Sequence, residues 1–347
     1  MPITDLQIQL TEAIDNNHVN TVQKLLAENK QILNWPKETE NETISPLMLA
    51  AKKGNADIIK ILLLSGSPVT EKNKAGWTAL HIAAFNGYAD VVKLLLEQNF
   101  LLDEKVNDGC TALHLAVIYG HVEVTKLLLQ KGASLIETDN EEKTALYLAA
   151  SNGHTDIVKL LLEEGSLLKD ENNGKEILHI AVNKGYLEIV QLLLERGVFF
   201  DKSNNDEDIA LTYAANKGHT DVVKLLLEQG TLLNKKNNRG EAVLYSAASK
   251  GYTDIIKLLL EYGVTLNRKD ITGKTALHYA ADEGHFDTVR LLLEHDATMS
   301  EKDNEGRTAL HLAMSKGYSD IVRLLLEHDA TFYIKDHAGG IERTSIL

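Results

Sequence analysis

Cysteine is almost absent from this 347-residue sequence, where Cys110 is the single one. One thiol cannot close an internal disulfide, so a disulfide-stapled secreted domain is excluded and a reducing compartment is expected. Aromatic residues make up only 5%, few for compact cores in a chain of this length, and proline occurs four times. A positive balance is missing too: 36 Lys and Arg against 50 Asp and Glu leave a formal charge of −14. That sign speaks against bulk attraction to nucleic acid or anionic lipid. Apolar runs such as Ile61-Leu62-Leu63-Leu64 fall far short of the roughly 20 residues that cross a bilayer. The opening stretch, Met1 to Leu10, has neither the basic flank nor the apolar centre of a signal peptide.

What the chain has is itself, many times over. Gly54, Gly87, Gly120, Gly153, Gly185, Gly218, Gly251, Gly284 and Gly317 follow one another at intervals of 33 residues, with one interval of 32 between Gly153 and Gly185. The phrase Thr78-Ala79-Leu80-His81 before the glycine returns as Thr111-Ala112-Leu113-His114, Thr275-Ala276-Leu277-His278 and Thr308-Ala309-Leu310-His311. A Leu-rich phrase such as Val91-Val92-Lys93-Leu94-Leu95-Leu96 follows it. A fixed period of this size means stacked units, none of which can bury its apolar face alone. Thin layers of Leu, Ala, Ile and Val need few rings, which accounts for the low aromatic content.

Each unit reads as helix, tight turn, helix and extended finger. Thr78 is a natural N-cap, and Leu80, Ile82, Ala83 and Ala84 give the first helix its apolar stripe. Gly87 ends it, because a positive φ costs glycine nothing. A second helix is predicted from about Ala89 to Gln98, with Val91, Val92, Leu94, Leu95 and Leu96 inward. Polar stretches such as Glu301-Lys302-Asp303-Asn304-Glu305-Gly306 carry the chemistry of a hairpin tip.

These phrases resemble the ankyrin repeat, in nine full copies from Ile44 to about Lys335. A degenerate copy precedes them, with Ala13-Ile14 and Val22-Gln23-Lys24-Leu25-Leu26 in frame and Asn17 in the glycine slot. The expected organisation is therefore a capping repeat and linker at 1–43, nine repeats at 44–335, and a truncated repeat start or tail at 336–347. The resemblance implies an all-α solenoid of helix-turn-helix units with short β-hairpin fingers, forming one continuous array. It also implies a concave face of fingers and first helices, with second helices behind. Ala79, Ala112, Ala145 and Ala276 stand where the motif has Pro, which only Pro46 keeps. In three consecutive units Glu176, Ile209 and Ala242 replace the capping Thr, which predicts a soft middle segment.

No catalytic constellation emerges. Nine of 13 His residues fall in two repeat slots, His81, His114, His179, His278 and His311 in one and His121, His154, His219 and His285 in the other. The resemblance makes both sets structural, tying helix to finger, and no metal or other cofactor is expected. Gly273-Lys274-Thr275 looks like the end of a nucleotide loop, but Arg268 stands where the upstream Gly would be. Cys110 and His114 lack a third residue to orient a base. The chain reads as a non-enzyme.

In a repeat array, meaning lies where units differ. The slots left free by the family frame hold Trp77, Phe85, Cys110, Ile118 and Tyr119 in two consecutive units, against Lys143, Ser151, Asn152, Asn183, Asp282 and Ser315 elsewhere. An apolar, aromatic cluster on a polar face is a candidate hot spot; the competing reading is packing between neighbouring fingers. A second feature is a lysine column before the turn glycine: Lys53, Lys184, Lys217, Lys250 and Lys316. Lys184, Lys217 and Lys250, about 10 Å apart at ordinary helix spacing, would favour an acidic segment of a protein partner. The bland alternative is lysine as a good exposed helix former.

The expected function is protein recognition through the concave face, as scaffold, adaptor or inhibitor, with no nucleic acid partner and no membrane insertion. The alternative is a targeting or substrate-recruiting region of a larger protein, since the Asn- and Lys-rich fingers resemble those of bacterial effectors. The expected compartment is the cytoplasm, or the host cytosol under that alternative. No polar cap is visible at the C-terminal end, and truncation, self-association or a docked tail would each account for it.

Overall fold

A computed structural model describes residues 3–34, 37–38, 43–98, 101–165, 171–198, 206–229 and 243–328. Two compact units partition the chain, Met1–Asn173 and Gly174–Leu347, where the sequence predicts one continuous array. The first contains the helix pairs α1 (Ile3–Asp15) and α2 (Val19–Glu28), α3 (Pro46–Lys53) and α4 (Ala56–Leu64), α5 (Ala79–Asn86) and α6 (Ala89–Leu96). The pairs α7 (Ala112–Ile118) and α8 (Val122–Gln130), and α9 (Ala145–Ser151) and α10 (Thr155–Glu163), follow. The second unit contains α11 (Glu171–Lys184), inside which the division falls, α12 (Leu187–Glu195), α13 (Asp206–Lys217), α14 (Thr220–Glu228), α15 (Val243–Lys250) and α16 (Thr253–Glu261). It continues with α17 (Ala276–Asp282), α18 (Phe286–Glu294), α19 (Ala309–Lys316) and α20 (Ser319–Glu327).

Within each unit first helices stack on first helices, α3 on α5 on α7 on α9 and α13 on α15 on α17 on α19. Second helices stack likewise, α2 through α10 at even numbers and α12 through α20. The core between the two rows is aliphatic: Leu80, Ala83, Ala84, Val91, Val92 and Leu95 of one layer are almost wholly buried. Leu94 is only half-buried, because the apolar stripe of so short a helix is narrower than its run of leucines.

The boundaries have local causes. Ser45, Thr78, Thr111 and Thr144 accept the backbone N–H three residues on, and Pro46 opens α3 where its missing donor costs nothing. All nine turn glycines have φ between 70° and 81°, and Asn17 takes φ 56° in the same slot. The longer first linker holds a 3-10 turn, Lys30–Asn34, and a two-residue antiparallel pair, Lys37–Glu38 with Thr43–Ile44. Other described fingers carry no strand. Turn bonds close the tips, as from Asn73 N–H to Trp77 O and Gly76 N–H to Asn73 O, both at 2.9 Å, and from Asp303 N–H to Arg307 O at 2.9 Å.

Where Glu176 and Ile209 replace the capping Thr, the helices lengthen. α11 has 14 residues and α13 has 12, against 8 in α5. Glu176 lies inside α11 and the Ile209 backbone inside α13. Removing the cap thus removes a stop signal as well as a stabilising bond. Ala242 and the segment 336–347 lie outside the described residues.

Candidate functional site

Seven of the slot histidines hold the architecture together in two different ways. His81 Nδ1 accepts the Thr78 backbone N–H at 3.2 Å, which leaves Nε2–H to donate to Glu104 O, in the next finger, at 2.9 Å. His114 does the same between Thr111 and Glu137 O, and His278 between Thr275 and Arg307 O. This set ties helix to finger as the resemblance implies. The other set does not. His121, His154, His219 and His285 donate from Nε2 to Phe85 O, Ile118 O, Asn183 O and Ser249 O, at 2.9 to 3.1 Å. They join turn to turn across layers, which corrects the helix-to-finger role expected of them.

Burial holds His81, His114 and His278 below the usual imidazole pKa of 6.5, against a smaller opposite pull from the carbonyl each one faces. The folded chain keeps these rings neutral, whereas the unfolded chain protonates them once the pH drops below about 6.5. The unfolded state then binds more protons, so stability falls as pH falls from about 6.5 and is unaffected by these groups above it. Urea midpoints measured at pH 7.5, 6 and 5 should decline in that order; a midpoint that holds or rises would contradict the neutral assignment.

Fingers are clamped to one another by residues that the repeat motif does not single out. Asn107, Asn140 and Asn304 donate both the backbone and the side-chain N–H to carbonyls of the preceding finger, at 2.9 to 3.1 Å. Lys72 with Glu104, Lys105 with Glu137 and Lys269 with Glu301 bridge the same gap. The recurring Asn is the signal in the sequence that points to them. Gly273-Lys274-Thr275 is a finger-to-helix junction: Lys274 pairs with Asp282 at 2.9 Å and Thr275 caps α17.

The five apolar candidates come together. Val106, Cys110 and Leu115 form a small buried core, against which Trp77, Phe85 and Ile118 pack, each half-buried. The Trp77 and Phe85 rings meet edge to face at 5.3 Å between centroids, and Phe85 and Tyr119 at 4.3 Å. Tyr119 is the outermost ring, 50% exposed. Cys110 is only 6% exposed, which corrects its place among surface contacts: it belongs to the buried cluster on which the rings pack. Burial, then the neighbouring Asp108, pushes its thiol up to about 12. With both His114 nitrogens engaged, no thiolate and no free base stand here.

The lysine column divides. Lys53 pairs with Asp15 at 3.1 Å and Lys316 approaches Asp282 at 3.9 Å. Lys184, Lys217 and Lys250 are exposed and form no ion pair among the described residues. No described helix is long and apolar enough to cross a membrane.

Comparison with known families gives one answer. A family model for ankyrin repeats in three copies matches residues 10–100, 47–139, 134–206, 196–270 and 264–336. No curated protein matches the chain.

Proposed function

The chain belongs to the ankyrin-repeat family, and we propose that it recognises a protein partner through the first-helix face, with Phe85 and Tyr119 as the main contacts. Ankyrin repeats are generally protein-interaction modules and typically lack catalysis. The observation that supports this use of the face is the edge-to-face ring cluster itself. Trp77 and Ile118 bury much of their surface on the Val106–Cys110–Leu115 core, while Tyr119 leans on Phe85 and faces water. Rigid, half-desolvated rings held from below are the makings of an interface anchor. Scaffold, adaptor and inhibitor all use such a face, as does a recruiting region of a larger protein.

The exposures also decide which variant tests the reading. Trp77→Ala removes core packing as well as surface and should cost about 2 kcal/mol of stability. Tyr119→Ala should leave stability within about 1 kcal/mol and weaken partner binding by about 2 kcal/mol. Affinity capture from the native cell extract, quantified for wild type, Tyr119→Ala and Tyr262→Ala, checks this. A partner retained equally by all three would remove the aromatic reading.

The capping role of residues 1–43 is supported by α1 and α2, whose Ala13, Ile14, Val22 and Leu26 are buried. A cavity of about 630 Å³ lies against the last described helix pair, α19 and α20, lined by Met314, Val322 and Leu326 among others, where self-association would act. The residues that follow, 329–347, lie outside the described ones.

A further inference from the structure

Building on the reading that the first-helix face binds a protein, we infer that the groove between α11 and α13 takes an acidic segment of the partner. One apolar side chain of that segment sits between Ile180 and Tyr213, and Lys184 and Lys217 hold carboxylates beside it, with Lys250 one layer further. Three observations meet here.

The first is space. A cavity of about 340 Å³ opens between the two helices. Val182 and Ala210, each 1% exposed, lie at its bottom, and the half-buried Ile180 and the Tyr213 ring form apolar walls. Glu176 and Asn183 are exposed at its rim. This is the low end of the ligand-pocket range, about 300–1,000 Å³, and suits one side chain rather than a cofactor. Tyr213 is 51% exposed, so an occupant would cover apolar ring surface that now faces water.

The second is register. Ile180, Asn183 and Lys184 are spaced i, i+3 and i+4 on α11, as are Tyr213, Asn216 and Lys217 on α13. Such residues share one helix face, which puts each lysine's Cα about one turn, ~5.4 Å of rise, from the cavity wall.

The third is charge. In the same slot, Lys53 and Lys316 have carboxylates from a neighbouring layer, but Lys184, Lys217 and Lys250 have no ion-pair partner among the described residues. A local run of uncompensated positive charge on a chain of net charge −14 is complementary to an acidic peptide. A polyanion without side chains would leave the cavity empty.

Fluorescence anisotropy on the full chain tests this with three labelled probes: a short oligoglutamate with a central phenylalanine, the same peptide with alanine, and a short oligothymidylate. The phenylalanine peptide should saturate, bind about tenfold tighter than the alanine peptide, and weaken as salt rises. Lys184→Gln with Lys217→Gln should weaken both peptides about tenfold and flatten the salt dependence, with the fold unchanged because Gln is as good a helix former. Tyr213→Ala should erase the difference between the peptides and keep the salt dependence. Peptides that bind alike, lysine variants without effect, or no saturable binding would each overturn the inference. So would tighter binding of the oligothymidylate, or a dimer in sedimentation that the lysine variants dissolve. If the peptides fail while Tyr119-dependent capture persists, the groove is wrong and the aromatic site still stands.

Discussion

Replacing His114 with alanine should cost about 4 kcal/mol of stability, the largest single effect expected here. The imidazole is fully buried and serves three groups at once. It accepts the Thr111 N–H at 3.1 Å, touches Thr111 Oγ1 at 2.9 Å and donates to Glu137 O at 3.1 Å. Alanine keeps the Thr111 Oγ1 half of the capping box but loses the other half, stranding the buried Thr111 N–H and the part-buried Glu137 carbonyl at about 1–3 kcal/mol each, which relaxation and water entry offset in part. The control is Thr111→Ala, which weakens the cap and keeps the link to the next finger; it should cost about 1 kcal/mol. Urea denaturation of the two variants compares them. Equal losses would mean that the histidine acts only within its own helix, and the cross-layer tie would carry no weight. Hydrogen exchange adds a spatial readout: in His114→Ala, amides near Asp139 and Asn140 should open faster.

Gly87→Ala should follow at about 3 kcal/mol. Gly87 has φ 75°, and a Cβ built there would meet the His121 ring at 2.5 Å. About 1–2 kcal/mol comes from forcing a left-handed conformation on alanine. Most of the rest comes from displacing a ring that donates to Phe85 O at 2.9 Å. Gly132 separates the two contributions. Its φ is 88°, and nothing lies within 4 Å of a Cβ placed there. Gly132→Ala should therefore cost only the backbone part, about 1 kcal/mol. If both variants melted alike, the turn-to-turn contact would be incidental. Because His121 and Tyr119 stack at 6.5 Å, Gly87→Ala should also disturb the aromatic site.

Much of the fold is legible in the amino-acid sequence, and the reasons differ by element. The turn glycines are legible because only glycine takes a positive φ cheaply, and Asn17 because asparagine comes next. The capping threonines are legible because their chemistry is local. The lengthened α11 and α13 are not: a missing cap reads as lost stability, and only the backbone shows the helix running past the vacant stop. At the candidate site, the clustering of Trp77, Phe85, Ile118 and Tyr119 follows from slot variation. The inward turn of Cys110 does not, since a finger residue's burial depends on its neighbours in space. The lysine column misleads at its ends for the same reason, because Asp15 and Asp282 reach Lys53 and Lys316 from adjacent layers. Tyr213 escapes slot variation because its position, one turn before the free slots, is structural in the repeat frame.

The central claim is that the exceptional rings on the first-helix face, and not the repeated surface, meet the partner. A photoreactive phenylalanine analogue placed at Tyr119, and separately at Tyr262, which is 42% exposed, tests it directly. Irradiation of each protein in native extract should give a discrete protein adduct at Tyr119 that disappears when Phe85→Ala is added, and none at Tyr262. The same adduct from both positions, or one from Tyr262 alone, would contradict the account.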